Sequence, residues 1–442
     1  MMLDSVDDVH AHRDRWRGTV LDVGLIGAGP SNLSVAAHLL PHTQAFALYD
    51  RRRAFTWHDG LMLDGVKLQS SYFKDLIFLS DPKSPFTFFN YLHEKNRLYR
   101  YLHAEFDRPE RREFESYFRW AGEKLESFIS LETDVIGLEQ RNDGFRILFQ
   151  SGYQDSRNVV VGIGKQPFLA GNASGFAGPT VFHSSDYRHR RDDAGGFKGR
   201  DVIIVGGGQS AAEIVLDLIS STGNFPKSIL WMTRSQKFAM FDETVLCNDI
   251  YTPSFATFFF NQSAEMRRVL NDVYKTSSDG IVGELLLRIY RRFYDLDVFH
   301  GTPVQYRMRV GQTYTGLEPA EGGRWRVSSH FRDAPRVDVG DVVIMATGYQ
   351  SPRSPLMESL DEILDHDADG SPVFGSDYSA RTQVPTSGRI FLQNMSSDRF
   401  GWMDPNLGGT SWRAATITNA ILGRPVYTNS DEGTLIDWAG SR

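Results

Sequence analysis

Two glycine turns, and the charged residues that follow them, carry the clearest chemistry in this 442-residue sequence. The first is Gly27-Ala28-Gly29-Pro30-Ser31-Asn32. An apolar run from Leu21 leads into it, and a small-residue amphipathic stretch to Leu40 leaves it. That order is strand, tight turn, helix. Gly27 permits the turn, and Gly29 lets the backbone approach a pyrophosphate lying on the helix N-terminus. Asn32 stands where a third glycine or alanine is usual. A second apolar run, Ala45 to Tyr49, ends in Asp50, 23 residues after Gly27. This is the distance expected of a carboxylate that takes a ribose hydroxyl, and it argues against a merely structural turn.

The pattern then recurs. Asp201 to Val205 reads as a strand, Gly206-Gly207-Gly208-Gln209-Ser210-Ala211 as the turn and Ala212 to Ile219 as the helix, with the G-x-G-x-x-A form complete. The next strand, Ser228 to Thr233, is followed by Arg234 and Lys237. NAD enzymes prefer an acid at this place, whereas a base suits the 2′-phosphate of NADP. An acid behind the first turn and an arginine behind the second imply FAD and NADPH together.

Composition bounds the rest. Net charge is −7, with 41% hydrophobic and 23% charged residues, which favours neither a nucleic-acid nor a membrane partner. No apolar run is long enough to span a bilayer. The first twenty residues lack the apolar core of a secretion signal, so the expected location is cytoplasmic. Cys247 is the only cysteine, which excludes an internal disulfide, a redox pair and a cysteine-rich metal site.

Several elements must position this chemistry. Residues 51–92 are aromatic, rich in Gly and Pro, and without period; Trp57, His58, Gln69 and Lys74 are their candidates for lining a flat ring. A packed loop, with Trp57 in the core and Lys74 in solvent, is the plain alternative. Residues 110–126 place Phe114, Tyr117, Phe118, Ala121 and Leu125 at helical spacing, as core. Ser278-Asp279-Gly280 reads as a helix start. Asp341 to Met345 is a buried strand running into Ala346-Thr347-Gly348-Tyr349. The expected fold is α/β, with two Rossmann-like dinucleotide-binding domains, the NADPH domain inserted in the FAD domain. A flexible N-terminus would cover 1–20, the FAD domain 21–197 and 340–442, and the NADPH domain 198–240 and 296–339. A helical substrate-binding or lid segment would cover 241–295.

GAGPSN, LQSSYFKDL, DPKSPFTFFNYL, GGGQSAAE, FDE…CNDIYTP, KTSSDGI and ATGY occur in this order between Asp22 and Gly423. As a set they resemble the flavin-dependent N-hydroxylating monooxygenases of siderophore pathways, the lysine and ornithine N-monooxygenases. The resemblance implies that Gly27, Gly29, Pro30, Ser31, Asn32 and Asp50 hold FAD, with Trp57, His58, Gln69, Thr347 and Leu407 nearby. Gly206, Gly208, Gln209, Ser210 and Arg234 would hold NADPH. Lys74, Asn248 and Ser278 would face the substrate, with Gln69, Asn248 and Ser278 as the catalytic set. In the ornithine enzymes the matching lysine meets the substrate carboxylate, and an asparagine stands where this chain has Ser278. Phe400-Gly401 and Leu407-Gly408 replace the usual His-Gly and Leu-Ser.

The implied reaction is N-hydroxylation, with FAD, NADPH and O₂, of the terminal primary amine of L-lysine or a diamine (cadaverine or putrescine). The implied assembly is a dimer or tetramer. L-Ornithine and histamine are alternative substrates. A sulfur-oxidising relative would carry F-x-G-x-x-x-H, but Phe176, Gly178 and His183 contain one residue too many. A non-catalytic dinucleotide sensor is the alternative from another class. Replacing Arg234 with Ala is expected to raise the KM for NADPH with less effect on NADH. Equal use of both nicotinamides by the native protein would remove Arg234 from that role.

Overall fold

The computed structural model describes residues 16, 18–221, 223–428 and 434–438, so most of the terminus expected to be flexible lies outside the described residues. The first unit is built on β1 (Leu21–Ile26), buried at nearly every position, as the centre of a parallel sheet requires. It ends at the first glycine turn, and α1 (Pro30–Leu39) begins directly behind. β2 (Phe46–Tyr49) pairs in parallel with β1, Val23 beside Phe46. α2 (Arg111–Lys124) lays Phe114, Tyr117, Phe118 and Ala121 into the core, the stripe that their spacing predicts. β3 (Tyr153–Val161) closes an antiparallel meander with Val135–Arg141 and Gly144–Phe149, and flanks β1 on its other side.

Gln166–Pro167 carry the chain into a second unit. There β4 (Val181–His183), β5 (Asp201–Val205), α3 (Gln209–Ser220), β6 (Ser228–Met232), α4 (Gly283–Phe299), β7 (Gln305–Arg309) and β8 (Val342–Met345) follow in sequence. The strands form a five-stranded parallel sheet in the order β7-β6-β5-β8-β4. A three-stranded antiparallel meander over 312–340 packs on it through Leu317 and Val327. The chain returns through Tyr349–Gln350, which pairs antiparallel with Gln166–Pro167. β9 (Ile390–Leu392) then adds to β3 in parallel, and α5 (Thr410–Leu422) packs against α1. Two Rossmann-type units, one inserted in the other, are thus present.

Two boundaries differ from the sequence reading. β4 and β8 belong to the second sheet, so that unit runs between the paired crossings, residues 168–348, and not from 198 to 339. The segment 241–295 is also divided. α4 puts Ile289, Phe293 and Leu296 into the second core as the helix between β6 and β7. Phe255 and Phe259 instead pack with Met403 of the first unit. The helix expected from Ser278 starts at Gly283, and Thr276–Asp279 is a separate turn. The backbone is extended at Gly280, with φ −78° and ψ 166°, which separates the two. Among the described residues no helix is long and apolar enough to cross a membrane, and no cluster of His, Cys, Asp or Glu could hold a metal.

A buried polar cluster joins the last helix to the first turn. Arg413, 1% exposed, donates to Gln393 Oε1 at 3.0 Å, to Ser31 Oγ at 3.2 Å and to the Asp404 carbonyl. The fully buried Asp404 carboxylate lies 3.8 Å from this guanidinium and accepts the amides of Asn394 and Ser396. Burial pushes the Asp404 carboxyl above its ordinary range, and the charge of Arg413 opposes that push. Removing one partner of such a pair strands a buried charge, at about 3–5 kcal/mol. Arg413→Ala is therefore expected to lower stability by an amount of this order and to loosen the first turn. Chemical denaturation checks it, and an unchanged midpoint would mean that the cluster does not hold the turn.

Candidate active site

The first turn fits a pyrophosphate. Gly27 sits at φ +92°, and a Cβ there would meet the Gly162 carbonyl oxygen at 2.6 Å, so only glycine serves. Gly29 is the opposite case: no atom lies within 4 Å of where its Cβ would stand. It leads into α1, whose N-terminal amides carry no side-chain cap and so suit an anion. Pro30 opens the helix, where its missing N–H is not needed. Ser31 is a partner of Arg413, as described. The Asp50 carboxylate accepts the Ala28 amide at 2.7 Å and is gripped by Arg52 at 2.8 and 2.9 Å. Burial works against its charge, but Arg52 and the two amides outweigh it and hold the group below the usual carboxylate range. A ribose would share a carboxylate that Arg52 has already oriented; the sequence reading missed this arginine.

Asn32 requires a correction. It is fully buried, with Nδ2 donating to the Ile26 and Gly27 carbonyls at 2.9 and 2.8 Å. Its Oδ1 accepts from Gln393 at 2.7 Å. Every polar atom is engaged within the protein, so Asn32 clamps the turn from behind and does not reach a cofactor.

The second turn repeats the logic. Gly206 has φ +138°, and a Cβ would fall 2.0 Å from the Ala346 carbonyl, whereas at Gly208 the nearest atom is the Asp279 carbonyl at 3.9 Å. Ser210 lies half-buried in the first turn of α3. Arg234 and Lys237 are exposed just beyond β6, with no acidic partner within 4.0 Å among the described residues. Two expected contacts are used elsewhere. Gln209 accepts the Val282 amide at 3.0 Å and donates to Glu213 at 3.0 Å, tying α3 to the start of α4. Glu213 in turn holds Arg111 of the first unit at 2.8 and 3.0 Å. The Thr347 hydroxyl donates to the Phe168 carbonyl and fastens the two crossings together. Both side chains thus brace the fold, with one Gln209 N–H and the acceptor side of the Thr347 hydroxyl left over.

Trp57 packs edge-on against Phe118 at 5.0 Å and against His58 at 4.8 Å. His58 is open to water yet ringed by protein atoms. That crowding, aided by Arg111, pushes its imidazole down to about 4, so it is neutral at ordinary pH. Leu407 is half-buried against the first core, at the start of the turn Leu407–Gly409.

Three separated segments meet around Lys74. It is half-buried, and burial pushes its ammonium below the usual lysine range. Its Nζ stands 5.1 Å from the centroid of the Tyr251 ring, with no carboxylate within 4.0 Å among the described residues. Tyr251 closes the short helical turn Cys247–Tyr251, which also carries the exposed Asn248. The Tyr251 hydroxyl donates to the Ser277 carbonyl, next to the half-buried Ser278. Gln69 Nε2 donates to the Gly280 carbonyl at 3.2 Å. The segments that carry Lys74, Asn248 and Ser278 thus meet at Tyr251, and Gln69 reaches the loop that follows Ser278. Tyr251 was not singled out from sequence; only its place three residues after Asn248 could have drawn attention to it. A cavity of about 630 Å³ beside α3 is lined by Lys67, Arg108, Glu213 and Arg288, and includes none of Lys74, Asn248 or Ser278.

The chain is similar to known proteins over most of its length. Residues 19–351 match the family described as L-lysine 6-monooxygenase/L-ornithine 5-monooxygenase. The L-lysine N6-monooxygenase of Escherichia coli is 31% identical over 93% of this chain and 97% of its own length. The FAD-bound cadaverine monooxygenase of the desferrioxamine pathway of Erwinia amylovora superposes with a TM-score of 0.87 at 25% identity, over 95% of this chain and 98% of that one. The Kutzneria ornithine N-hydroxylase, solved with reduced FAD, NADP⁺ and L-ornithine, gives 0.84 at 28%, over 91% and 99%.

The open space at Gly29 generates a direct test. A branched side chain there would fill the approach to the helix amides, so Gly29→Val is expected to yield folded protein without flavin. Flavin absorbance per chain measures this, and stoichiometric FAD in the variant would place the pyrophosphate elsewhere.

Proposed function

Because this chain belongs to the L-lysine 6-monooxygenase/L-ornithine 5-monooxygenase family, we propose that its substrate is L-lysine, hydroxylated on the terminal amine. It is a flavin-dependent N-monooxygenase that uses FAD and NADPH. Its reaction is N-hydroxylation of lysine, ornithine or a diamine such as putrescine or cadaverine, in siderophore biosynthesis. The dinucleotide-sensor alternative falls with that membership.

One observation carries the choice of lysine: the Lys74 ammonium is half-buried without an anion. An unpaired charge away from water is costly, and an α-carboxylate would complete it. Asn248 and Ser278 lie on the segments that meet Lys74 through Tyr251, so in this reading they hold the head group rather than the reacting amine. The reacting amine then lies at the far end of the substrate chain. Gln69, whose NH₂ is engaged with Gly280, offers its side-chain oxygen to that amine.

The amine reacts only when neutral, yet in water its pKa is near ~10.4, and each unit of depression is roughly 1.4 kcal/mol. Reaching neutrality near pH 7 requires about 4–5 kcal/mol of desolvation and hydrogen bonding. An amide oxygen serves that end, because it accepts an N–H without holding the extra proton as a carboxylate would. FAD, reduced by NADPH, supplies activated oxygen when bound. Gly27, Gly29, Pro30, Ser31, Asp50, Trp57, His58 and Leu407 would border it, and Gly206, Gly208, Ser210 and Arg234 the NADPH. A cytoplasmic location and assembly as a dimer or tetramer, readable by light scattering, belong to the same proposal.

A diamine is the second reading, favoured by Gly408, where a polar side chain of the amino-acid enzymes is missing. The test is a panel of L-lysine, L-ornithine, cadaverine, putrescine and histamine, scored as hydroxylated product by mass. Lys74→Ala is expected to raise the KM for L-lysine about tenfold or more and to change that for cadaverine little. Product from cadaverine but not from lysine would overturn the choice of substrate, and product from none of the five would overturn the proposed activity.

A further inference from the structure

We propose that Tyr251 determines head-group specificity by fixing where the Lys74 ammonium stands, so that the pocket selects an α-amino acid over a diamine. The inference rests on the lysine reading above. Tyr251 does not touch the reacting end of the substrate; it acts through Lys74.

Gly408 is not required by its backbone, which lies outside the left-handed region. Its neighbours fill the space where a side chain would stand. A Cβ there would stand 2.7 Å from the Lys74 Cδ and 2.9 Å from the Asn406 Oδ1. The latter atom is itself committed to the Gly408 amide at 2.7 Å. The absent side chain is therefore occupied space: the Lys74 stem lies along the bare backbone at 408. From there the ammonium reaches over the Tyr251 ring, 5.1 Å from its centroid. The ring cannot swing away, because its hydroxyl is bonded to the Ser277 carbonyl and it packs among Ile250, Phe255 and Met403.

The consequence is electrostatic. An aromatic face attracts a cation without neutralising it, so Lys74 is held in place with its charge intact. A substrate carboxylate arriving there meets a preorganised partner. The second ammonium of a diamine would meet a like charge that cannot retreat, since its stem is laid against residue 408 and its tip on the ring.

The experiment compares native enzyme with Tyr251→Leu and Tyr251→Phe, each as the full FAD-loaded chain. Hydroxylated product from L-lysine and from cadaverine gives the ratio of the two kcat/KM values, and FAD per chain reports folding. Tyr251→Leu is expected to lower the lysine-to-cadaverine ratio by about tenfold, chiefly through a raised KM for lysine. Tyr251→Phe keeps the ring and is expected to hold the ratio within about threefold. A native preference for lysine with the ratio unmoved in Tyr251→Leu overturns this inference and leaves the lysine reading standing. Loss of preference in Tyr251→Phe as complete as in Tyr251→Leu overturns the part given to the ring. Native product from cadaverine alone overturns both.

Discussion

Arg413 carries a charge to a place that water does not reach, and the first nucleotide turn depends on what it meets there. Its fork holds Gln393 and Ser31 while its charge answers that of Asp404. Gln393 passes the constraint to Asn32, which grips the carbonyls on either side of the strand end. Gly162 must be glycine for the same reason, since a Cβ would fall 2.7 Å from the Asn32 Oδ1. The free amides behind Gly29 therefore point where they do because of residues in the last fifth of the chain. A buried ion pair adds little net stability; what it contributes here is a single allowed geometry for the loop.

The parts of the fold that are local in sequence were legible. Both glycine turns, the helix at 111–124 and the buried strand before Ala346 follow from spacing and period alone. Asn32 was misread because its partner lies far away in the chain. Asn32 meets Gln393, 361 residues on. Nothing near a polar residue in a glycine turn says whether it faces a ligand or a distant amide. The second unit was drawn too small because β4 is three residues long, too short for alternation to show. At the substrate end the residue types were legible and their relation was not. Gly408 read as a missing polar group, whereas it is the room in which Lys74 lies.

The site is assembled from parts that belong to different segments of the chain. Lys74 belongs to the irregular loop of the first unit, Gly408 to its C-terminal turn, and Tyr251 to the segment leading from the second unit onto the first. The Gln209–Glu213–Arg111 chain of contacts fixes the second unit against α2, and Gln209 also receives the amide at which α4 starts. The packing of the second unit on α2 and the start of α4 thus share one set of polar contacts.

The paired crossings at Gln166–Pro167 and Tyr349–Gln350 bear on how the chain is made. The second unit is one continuous stretch whose two ends lie side by side, so it can fold to completion as it emerges from the ribosome. The first unit is interrupted, and β3 waits for β9 until some two hundred residues more have been synthesised. Over that interval β3 presents an open, apolar strand edge, the kind that recruits other chains. The birth of this protein is therefore most exposed to aggregation after its inserted domain is finished and before its C-terminus appears.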